Sequence, residues 1–496
     1  MMAGNGRVLK NLVMVFASEG VGGLLSFIIV LLAARLLGVE QFGVFSYILA
    51  ITSVCQLVAD FGLTNLIVRE VARDTSRAQY IMSNVLSLAW ALSIVILTLV
   101  ALLALFSLDT SLQQSAAIIM GVAVLATYHS VVYSSVCRAF EQMSYNAISF
   151  VVHKVILLAL IYLFYHLSLF SSSLLAICMA YLVANLCQYV YFVVVVRTRF
   201  IRFSFGRDFA FAWQLLKDAV PIGASMVIRR LTLQVDTLLL GVLASASAVG
   251  LFSAAYKVVQ VVDMIPFAIC LPLFPAMSRM ASNEPDKLPA FFSLTLTGFL
   301  IVSIPLCGYV FVSAGNLIEL FYGATYVSAI PALRILAFAI IGLFVNMLLS
   351  YVFMALGKQR FYLLAAMSCL AVNTVVDVLL IPHMGATGAA WGTLLGELSY
   401  FLLCIVFLSR VQLAYAWLAQ LARPVLLCGL ISWVAYLSPP QGVTEQVLFS
   451  LAYGVSYIVG LFVLRVFKPA DIKRTLAQLT ERQGRAGLAD NSASGS

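Results

Sequence analysis

The sequence predicts an all-α polytopic membrane protein of about fourteen transmembrane helices, with two parallel-repeat six-helix lobes followed by two additional helices. Three observations predict it. Hydrophobic residues make up 63% of the 496 and charged residues 10%, against about 25% charged in soluble domains, and the mean hydropathy is +1.05. Basic residues alternate from loop to loop. Two heptapeptides recur at an offset of about 210 residues.

Taken in chain order, the basic positions are Arg7 and Lys10, then Arg69, Arg73 and Arg77, then Arg138, the stretch 197–217, Arg279 and Lys287, Lys358 and Arg360, Arg410 and Arg423, and the tail from Arg465. The loops between them lack Lys and Arg: around residues 38–40, Asp109, 166–173, 244–247, 314–319, 382–383 and 438–445. Such alternation fixes orientation, with the basic loops and both termini on the cytoplasmic side of a cell inner membrane. The net charge of +9 therefore reads as attraction to anionic membrane lipid and not to nucleic acid. The first apolar stretch, 11–37, exceeds a signal-peptide core of roughly 7–15 residues and carries Glu19 and Arg35, so it reads as a retained first span.

The repeat supplies the domain plan. Residues 41–47 (QFGVFSY) are echoed by 248–254 (AVGLFSA), and 139–145 (AFEQMSY) by 355–361 (ALGKQRF). Each echo returns to the same side of the membrane, so an even number of spans, about six, separates the copies. This divides the chain into an N-terminal lobe (1–206), a second lobe (207–412), two additional spans (413–468) and a cytoplasmic tail (469–496) whose Gly/Ser-rich end is expected to be disordered. Between the lobes, residues 197–207 alternate basic and aromatic side chains, which suits either a headgroup-level segment or an ordinary basic loop.

Enzymatic chemistry finds little footing. There is no P-loop and no G-x-S-x-G; four dispersed histidines and nine scattered cysteines without C-x-x-C offer neither a metal cluster nor a disulfide framework. No cofactor is implied beyond a coupling H⁺ or Na⁺.

Several segments resemble the polysaccharide (O-antigen type) flippase family, within the superfamily that also holds the multidrug extruders and lipid II flippases. They are 31–47 (LLAARLLGVEQFGVFSY), 60–63 (DFGL), 68–73 (VREVAR), 221–224 (PIGA), 235–241 (VDTLLLG), 249–257 (VGLFSAAYK) and 381–391 (IPHMGATGAAW). The resemblance implies two six-helix lobes around a cavity that opens alternately to either side, and export of an undecaprenyl-pyrophosphate-linked oligosaccharide for cell-surface polysaccharide assembly. It also implies a place beside polymerase and chain-length proteins of such a pathway. The rivals are a drug/cation antiporter of the extruder branch, which an acidic, aromatic cavity would favour, and a membrane polymerase or transferase.

Charges within the spans are the site candidates. A mid-membrane Arg or Lys costs roughly 2.5–3.5 kcal/mol against lipid, so Arg229, Arg230 and Lys257 together would cost about 8–10 kcal/mol unless they face a wet cavity or a partner. With Lys154 and Arg334 they form a candidate pyrophosphate site, because guanidinium forks and ammonium groups match phosphate oxygens. The alternative is that they pair with Glu19, Asp60, Asp236, Asp263, Asp377 and Glu397. Glu19, Asp60 and Asp236 are ion-coupling candidates. On an uninterrupted helix Arg229 and Asp236 would share a face. Pro266 and Pro272, with Pro275, predict a kinked or broken eighth span serving as a gate, and Pro221 and Pro331 are expected to start helices.

Overall fold

The computed structural model describes residues 2–202, 204–409, 418–437 and 443–463. They form sixteen α-helices: α1 (Met2–Asp60), α2 (Leu63–Arg73), α3 (Ala78–Ser107), α4 (Ser111–Ala139), α5 (Met143–His166), α6 (Ser173–Arg199), α7 (Phe209–Thr232), α8 (Val235–Leu243), α9 (Ala246–Asn283), α10 (Leu288–Val312), α11 (Ala314–Tyr322), α12 (Ile330–Ala355), α13 (Gln359–Met384), α14 (Ala386–Ser409), α15 (Leu418–Leu437) and α16 (Val443–Val463). No strand occurs among the described residues.

Ten of these helical stretches are long and apolar enough to cross a membrane, and the way they are joined supplies the remaining crossings. The apolar stretch in α1 runs Ala17–Leu57, about 60 Å at 1.5 Å per residue, twice a hydrocarbon core. It is divided at Gly38, whose φ of 71° and ψ of 175° leave the helical region. That combination is open essentially to glycine alone, and it turns the first span into the second. Spans three to six are α3 to α6. The seventh is α7 with α8, the eighth α9, and spans nine to twelve are α10, α12, α13 and α14. The pair α15 and α16 completes fourteen, matching the count expected from the alternating loops.

The packing repeats as the heptapeptide echoes anticipate. In the first lobe α4 packs on α3 and α6, and α5 on α6; in the second, α12 packs on α10 and α14, and α13 on α14. Across the lobes the most extensive contact is between α1 and α9. The last two helices lean on the second lobe, α15 against α10 and α16 against α15. At the starts of α4, α6 and α9, Thr110, Ser172 and Ser245 accept hydrogen bonds from Gln113 N, Leu175 N and Ala248 N, capping donors that the first helical turn leaves free.

α9 runs as one unbroken helix through Pro266, Pro272 and Pro275, so the break expected there is absent, and an interruption falls in the seventh span, at Leu233 and Gln234 between α7 and α8. Pro331 does sit at the start of α12, whereas position 221 lies inside α7. The stretch 197–207 ends α6 and then docks on the start of α3: Gly206 N donates to Ser83 O at 2.9 Å and Ser87 Oγ to Gly206 O at 2.7 Å. Phe200 packs on Phe140 and Tyr145, while Phe205 is exposed. The tail from residue 464 lies outside the described residues.

Candidate functional site

The break in the seventh span sets the site. Leu233 N and Gln234 N bond to Arg230 O and Leu231 O, three residues back, so the helix tightens and stops. Non-helical backbone at membrane depth is tolerated where it lines a cavity, and Leu233 lines three adjoining chambers. A central chamber of about 380 Å³ lies between the lobes. A second, of about 470 Å³, extends toward the basic loops beside Gln56, Asp60 and Tyr128. A third, of about 250 Å³, lies within the second lobe.

Three of the candidate cations converge on the central chamber. Arg230 from α7, Lys154 from α5 and Lys257 from α9 all line it, and Arg230 also lines the second chamber. Lys257 Nζ donates to Gln260 Oε1, and Lys154 stands 5.7 Å from the centroid of the Phe150 ring. The ion pairs among the described residues are Arg69 and Arg73 with Glu70, and Lys287 with Glu284; none involves these three cations. The chamber therefore carries concentrated positive charge beside hydroxyl and amide groups from Ser26, Ser46, Gln234, Thr237 and Ser253.

The other candidates lie elsewhere. Arg334 sits near the start of α12 with its guanidinium 5.7 Å from the Phe311 ring centroid and lines none of the three chambers. The side chain of Arg229 lies outside the described residues. The break after Thr232 means that residue 229 and Asp236 belong to different helices, so a shared face does not follow from their spacing. Glu19 is exposed on α1 and is absent from the chamber walls.

The acidic residues form two separate groups. Asp60 accepts from Thr64 N (3.3 Å) and Thr64 Oγ1 (3.1 Å), bridging the turn into α2, and lies within electrostatic reach of Arg138. Asp236, in the first turn of α8, is buried at 3% exposure. Asn373 Nδ2 and Thr393 Oγ1 each donate to its Oδ1 at 3.1 Å. Beside it lies Asp377, fully buried, with no donor to either oxygen among the described residues. Gly392 makes the space: a Cβ there would stand 2.0 Å from Asp377 Oδ1. Two facing buried carboxyls cannot both stay ionised without a proton or a cation between them. Read along the chain, Asp377 is only a pairing partner for a cation; its place beside Asp236 depends on helix packing across some 140 residues, for which no local signal exists.

The lobes touch at both ends of their interface. At the end away from the basic loops, Gly43 and Gly250 bring α1 and α9 backbone to backbone: a Cβ on Gly43 would lie 1.7 Å from Ala246 O, and one on Gly250 2.1 Å from Val39 O. Arg35 donates to the carbonyls of Phe321 (2.7 Å) and Leu320 at the C-terminal end of α11, and Tyr326 Oη to Ala34 O at 2.8 Å. At the basic end, Gly223 of α7 meets the turn after α1, where its Cβ would stand 2.2 Å from Phe61 O.

Two six-helix lobes, a cavity at their interface and a broken helix beside buried charge define a polytopic transporter-like class of protein. The model of the family described as "Polysaccharide biosynthesis protein" matches residues 8–281, more than half of the chain, and the chain belongs to that family. The resemblance carried by the motifs therefore holds. Among relatives, the probable low-salt glycan biosynthesis flippase Agl15 of Haloferax volcanii is 21% identical over 387 residues, covering 78% of this chain and 80% of the relative. The probable flippase AglR of the same organism is 28% identical over 166 residues, 32% of this chain and 34% of the relative. Among solved structures, the lipid II flippase MurJ in an inward closed conformation superposes with a TM-score of 0.75 at 13% identity, over 92% of this chain and 98% of that one. An inward-facing multidrug resistance MATE transporter gives 0.62 at 15%, over 80% and 96%. At these identities the structural matches establish the fold.

Proposed function

We propose that the chain is a flippase that moves an undecaprenyl-pyrophosphate-linked oligosaccharide from the inner to the outer leaflet of a cell inner membrane for surface polysaccharide assembly, by alternating access, with basic loops and both termini on the cytoplasmic side. The observation that carries the proposal is the convergence of Arg230, Lys154 and Lys257 on one interlobe chamber with no acidic partner among the described residues. Three cations at membrane depth are costly unless they face a wet cavity or an anion, and a pyrophosphate offers oxygens to guanidinium and ammonium alike. Backbone contact between the lobes at both ends gives alternating access two separable contacts to work with. The family and the glycan-flippase names of its relatives support the same cargo class.

Two driving forces fit. A membrane potential contributes about 2.3 kcal/mol per charge per 100 mV, so outward movement of a pyrophosphate with about two charges gains roughly 4–5 kcal/mol if protein charges stay fixed. The Asp236–Asp377 pair supports coupling to H⁺ or Na⁺, which would supply the positive charge the two carboxyls need. Replacing Asp377 by Asn is expected to abolish any dependence of transport on an ion gradient while leaving its dependence on potential, measured in proteoliposomes with each gradient imposed separately.

A second reading, a cation antiporter of the extruder branch, is favoured by the chamber in the second lobe, whose wall includes Asp263, Glu397 and four tyrosines. One assay separates the two. Proteoliposomes receive a labelled undecaprenyl-pyrophosphate oligosaccharide and, separately, a cationic dye. The expected result is movement of the lipid-linked sugar and a loss of at least about tenfold in the Arg230→Ala/Lys257→Ala double variant, the scale of two missing charge-assisted contacts. Movement of the dye alone would establish the antiporter.

A further inference from the structure

The segment that joins the lobes, with the opening turns of α7, displays five cations that the chambers do not use. Arg197, Arg199, Arg202, Arg207 and Lys217 are all exposed, and none forms an ion pair among the described residues. The acids nearby are already engaged. Asp208 accepts from the Tyr80 hydroxyl and from Phe211 N, Asp218 accepts from Gln214 Nε2 at 3.1 Å, and Asp74 accepts from Ser76 N at 3.0 Å. Alternating basic and aromatic residues suit a headgroup-level segment or an ordinary basic loop, and the fold separates the two.

Two large aromatic rings stand open on a fixed backbone. Phe205 is 67% exposed and Trp213 58%. Their chain is held to the start of α3, where Gly206 bonds to Ser83 and Ser87 and Asp208 N donates to Asn84 Oδ1 at 3.0 Å. The opening turns of α7 are amphipathic: Ala212, Leu215 and Ala219 are buried, so Trp213, Gln214 and Lys217 fall on the opposite, exposed face. Because α7 continues inward as the seventh span, that exposed face meets the edge of the bilayer, the level at which tryptophan is enriched. Lys217 turns back along the helix, its Nζ 5.7 Å from the centroid of the Trp213 ring one turn nearer the start of α7. A lysine at a bilayer edge bends this way to bring its ammonium to headgroup level while its stem stays on apolar surface.

We propose that this surface binds anionic phospholipid of the leaflet on the basic side, with Phe205 and Trp213 in the interfacial layer and Arg202, Arg207 and Lys217 on the headgroup phosphates. Guanidinium groups grip phosphate oxygens in pairs and an ammonium adds a point charge, while the rings enter the layer where chain and headgroup meet. Cations alone would suit an acidic protein equally well. The two open rings beside a membrane-entering helix favour lipid, because a water-soluble partner would have to reach Trp213 at the bilayer edge. The bound lipid moors the one covalent connection between the lobes on the side where it is already hydrogen-bonded to α3. This inference concerns a face of the molecule apart from the chambers and holds whatever cargo passes through them.

The test titrates the full chain in detergent with phosphatidylglycerol or phosphatidylcholine and reads bound lipid by native mass spectrometry. Wild type is expected to bind phosphatidylglycerol at least about tenfold more tightly than phosphatidylcholine, and Arg202→Gln/Arg207→Gln/Lys217→Gln to remove that preference. Lys358→Gln/Arg360→Gln, in another basic loop, should change it by less than about twofold. An equal loss in both variants would mean general attraction to the basic side and would overturn the site. Displacement of the lipid by inorganic phosphate at equal concentration would assign the cations to free phosphate and overturn the lipid. Position is read separately, in phosphatidylglycerol vesicles whose acyl chains are brominated near the headgroup. Wild type should lose more fluorescence to bromine than Trp213→Phe does, the difference being the quenched Trp213. Equal losses would put Trp213 in water, as an acidic protein partner would require, and overturn the proposal. The substituted cations are exposed, so thermal unfolding should be unchanged. If the triple variant does unfold, Lys217→Gln alone decides, with an expected loss of about threefold for phosphatidylglycerol and none for phosphatidylcholine.

Discussion

The lobes meet differently at their two ends. Away from the basic loops the contact is between repeat equivalents: Gly43 and Gly250 occupy the same place in the echoed heptapeptides, and each meets the backbone of the other's helix. At the basic end Gly62 and Gly223 meet, the end of a second span against the middle of a seventh, and the connecting segment is fastened to α3 by hydrogen bonds from and to Ser83, Asn84 and Ser87. The first contact is symmetric and latched by Arg35 and Tyr326. The second is asymmetric and backed by the covalent chain. Separating the first requires only that packed surfaces part, whereas movement at the second must pivot about a segment that stays with the first lobe.

The largest effect should come from the symmetric contact. Gly250→Leu places side-chain atoms where Val39 O stands, and backbone cannot yield as a side chain does. In a Cys187→Ser background, which removes the exposed cysteine among the described residues, a cysteine at Ser46 in the central chamber is expected to react about tenfold or more faster with an impermeant thiol reagent added on the side away from the basic loops, as a shift of population toward an open state. No change there would break the comparison. Gly223→Val should act oppositely: a cysteine at Ser53, which lines the central and second chambers, gains reactivity from the basic side, and by a smaller factor because the docked segment still restrains the end. The same side responding to both substitutions would show that the ends are not independent.

Arg35→Ala is a smaller perturbation. It removes two charge-assisted hydrogen bonds to the end of α11 from an exposed side chain, worth roughly 1–2 kcal/mol, and should lower the midpoint of thermal unfolding in detergent by a few degrees without altering reactivity from the basic side. The smallest effect belongs to Asp208, at the basic end. The Tyr80 hydroxyl donates to it and Phe211 N caps on it at 2.9 Å, which hold its carboxyl below the ordinary 3.8. A depressed carboxylate favours the folded state at pH values above its unfolded pKa and loses that contribution as the pH falls through its folded pKa. Limited proteolysis after Arg207 should therefore be faster in Asp208→Asn than in wild type at pH 7, with the difference lost as the pH falls through the folded-state pKa of Asp208.

The fold was legible because a bilayer imposes few alternatives: apolar length counted the crossings, and basic residues ordered them. The site was legible only where one residue carries its own cost. Lys154, Arg230 and Lys257 stand out as cations in apolar segments and come together in one chamber. Arg334 stands out equally and lies over Phe311, because spacing along one helix does not report which neighbour the helix will have. The break at Leu233 and Gln234 carries neither glycine nor proline, so the sequence pointed to the prolines of α9, where the helix continues. Asp377 acquires its meaning from a partner on another helix.

The glycine pair has a consequence for how such a chain could have arisen. In an isologous dimer, residues on the two-fold axis touch their own copies, and a single choice of residue satisfies both subunits. Gly43 and Gly250 have that relation inside one polypeptide, on an axis that runs along the membrane normal. A fusion of two like subunits would inherit this contact ready-made, and the two glycines would afterwards be free to change separately, each still confined by the backbone of the other half. The chambers show the opposite outcome of the same freedom: to the central and third chambers the second half supplies Arg230 and Lys257 as well as Asp263 and Glu397, and the first half only Lys154, an imbalance that no pair of identical subunits could make.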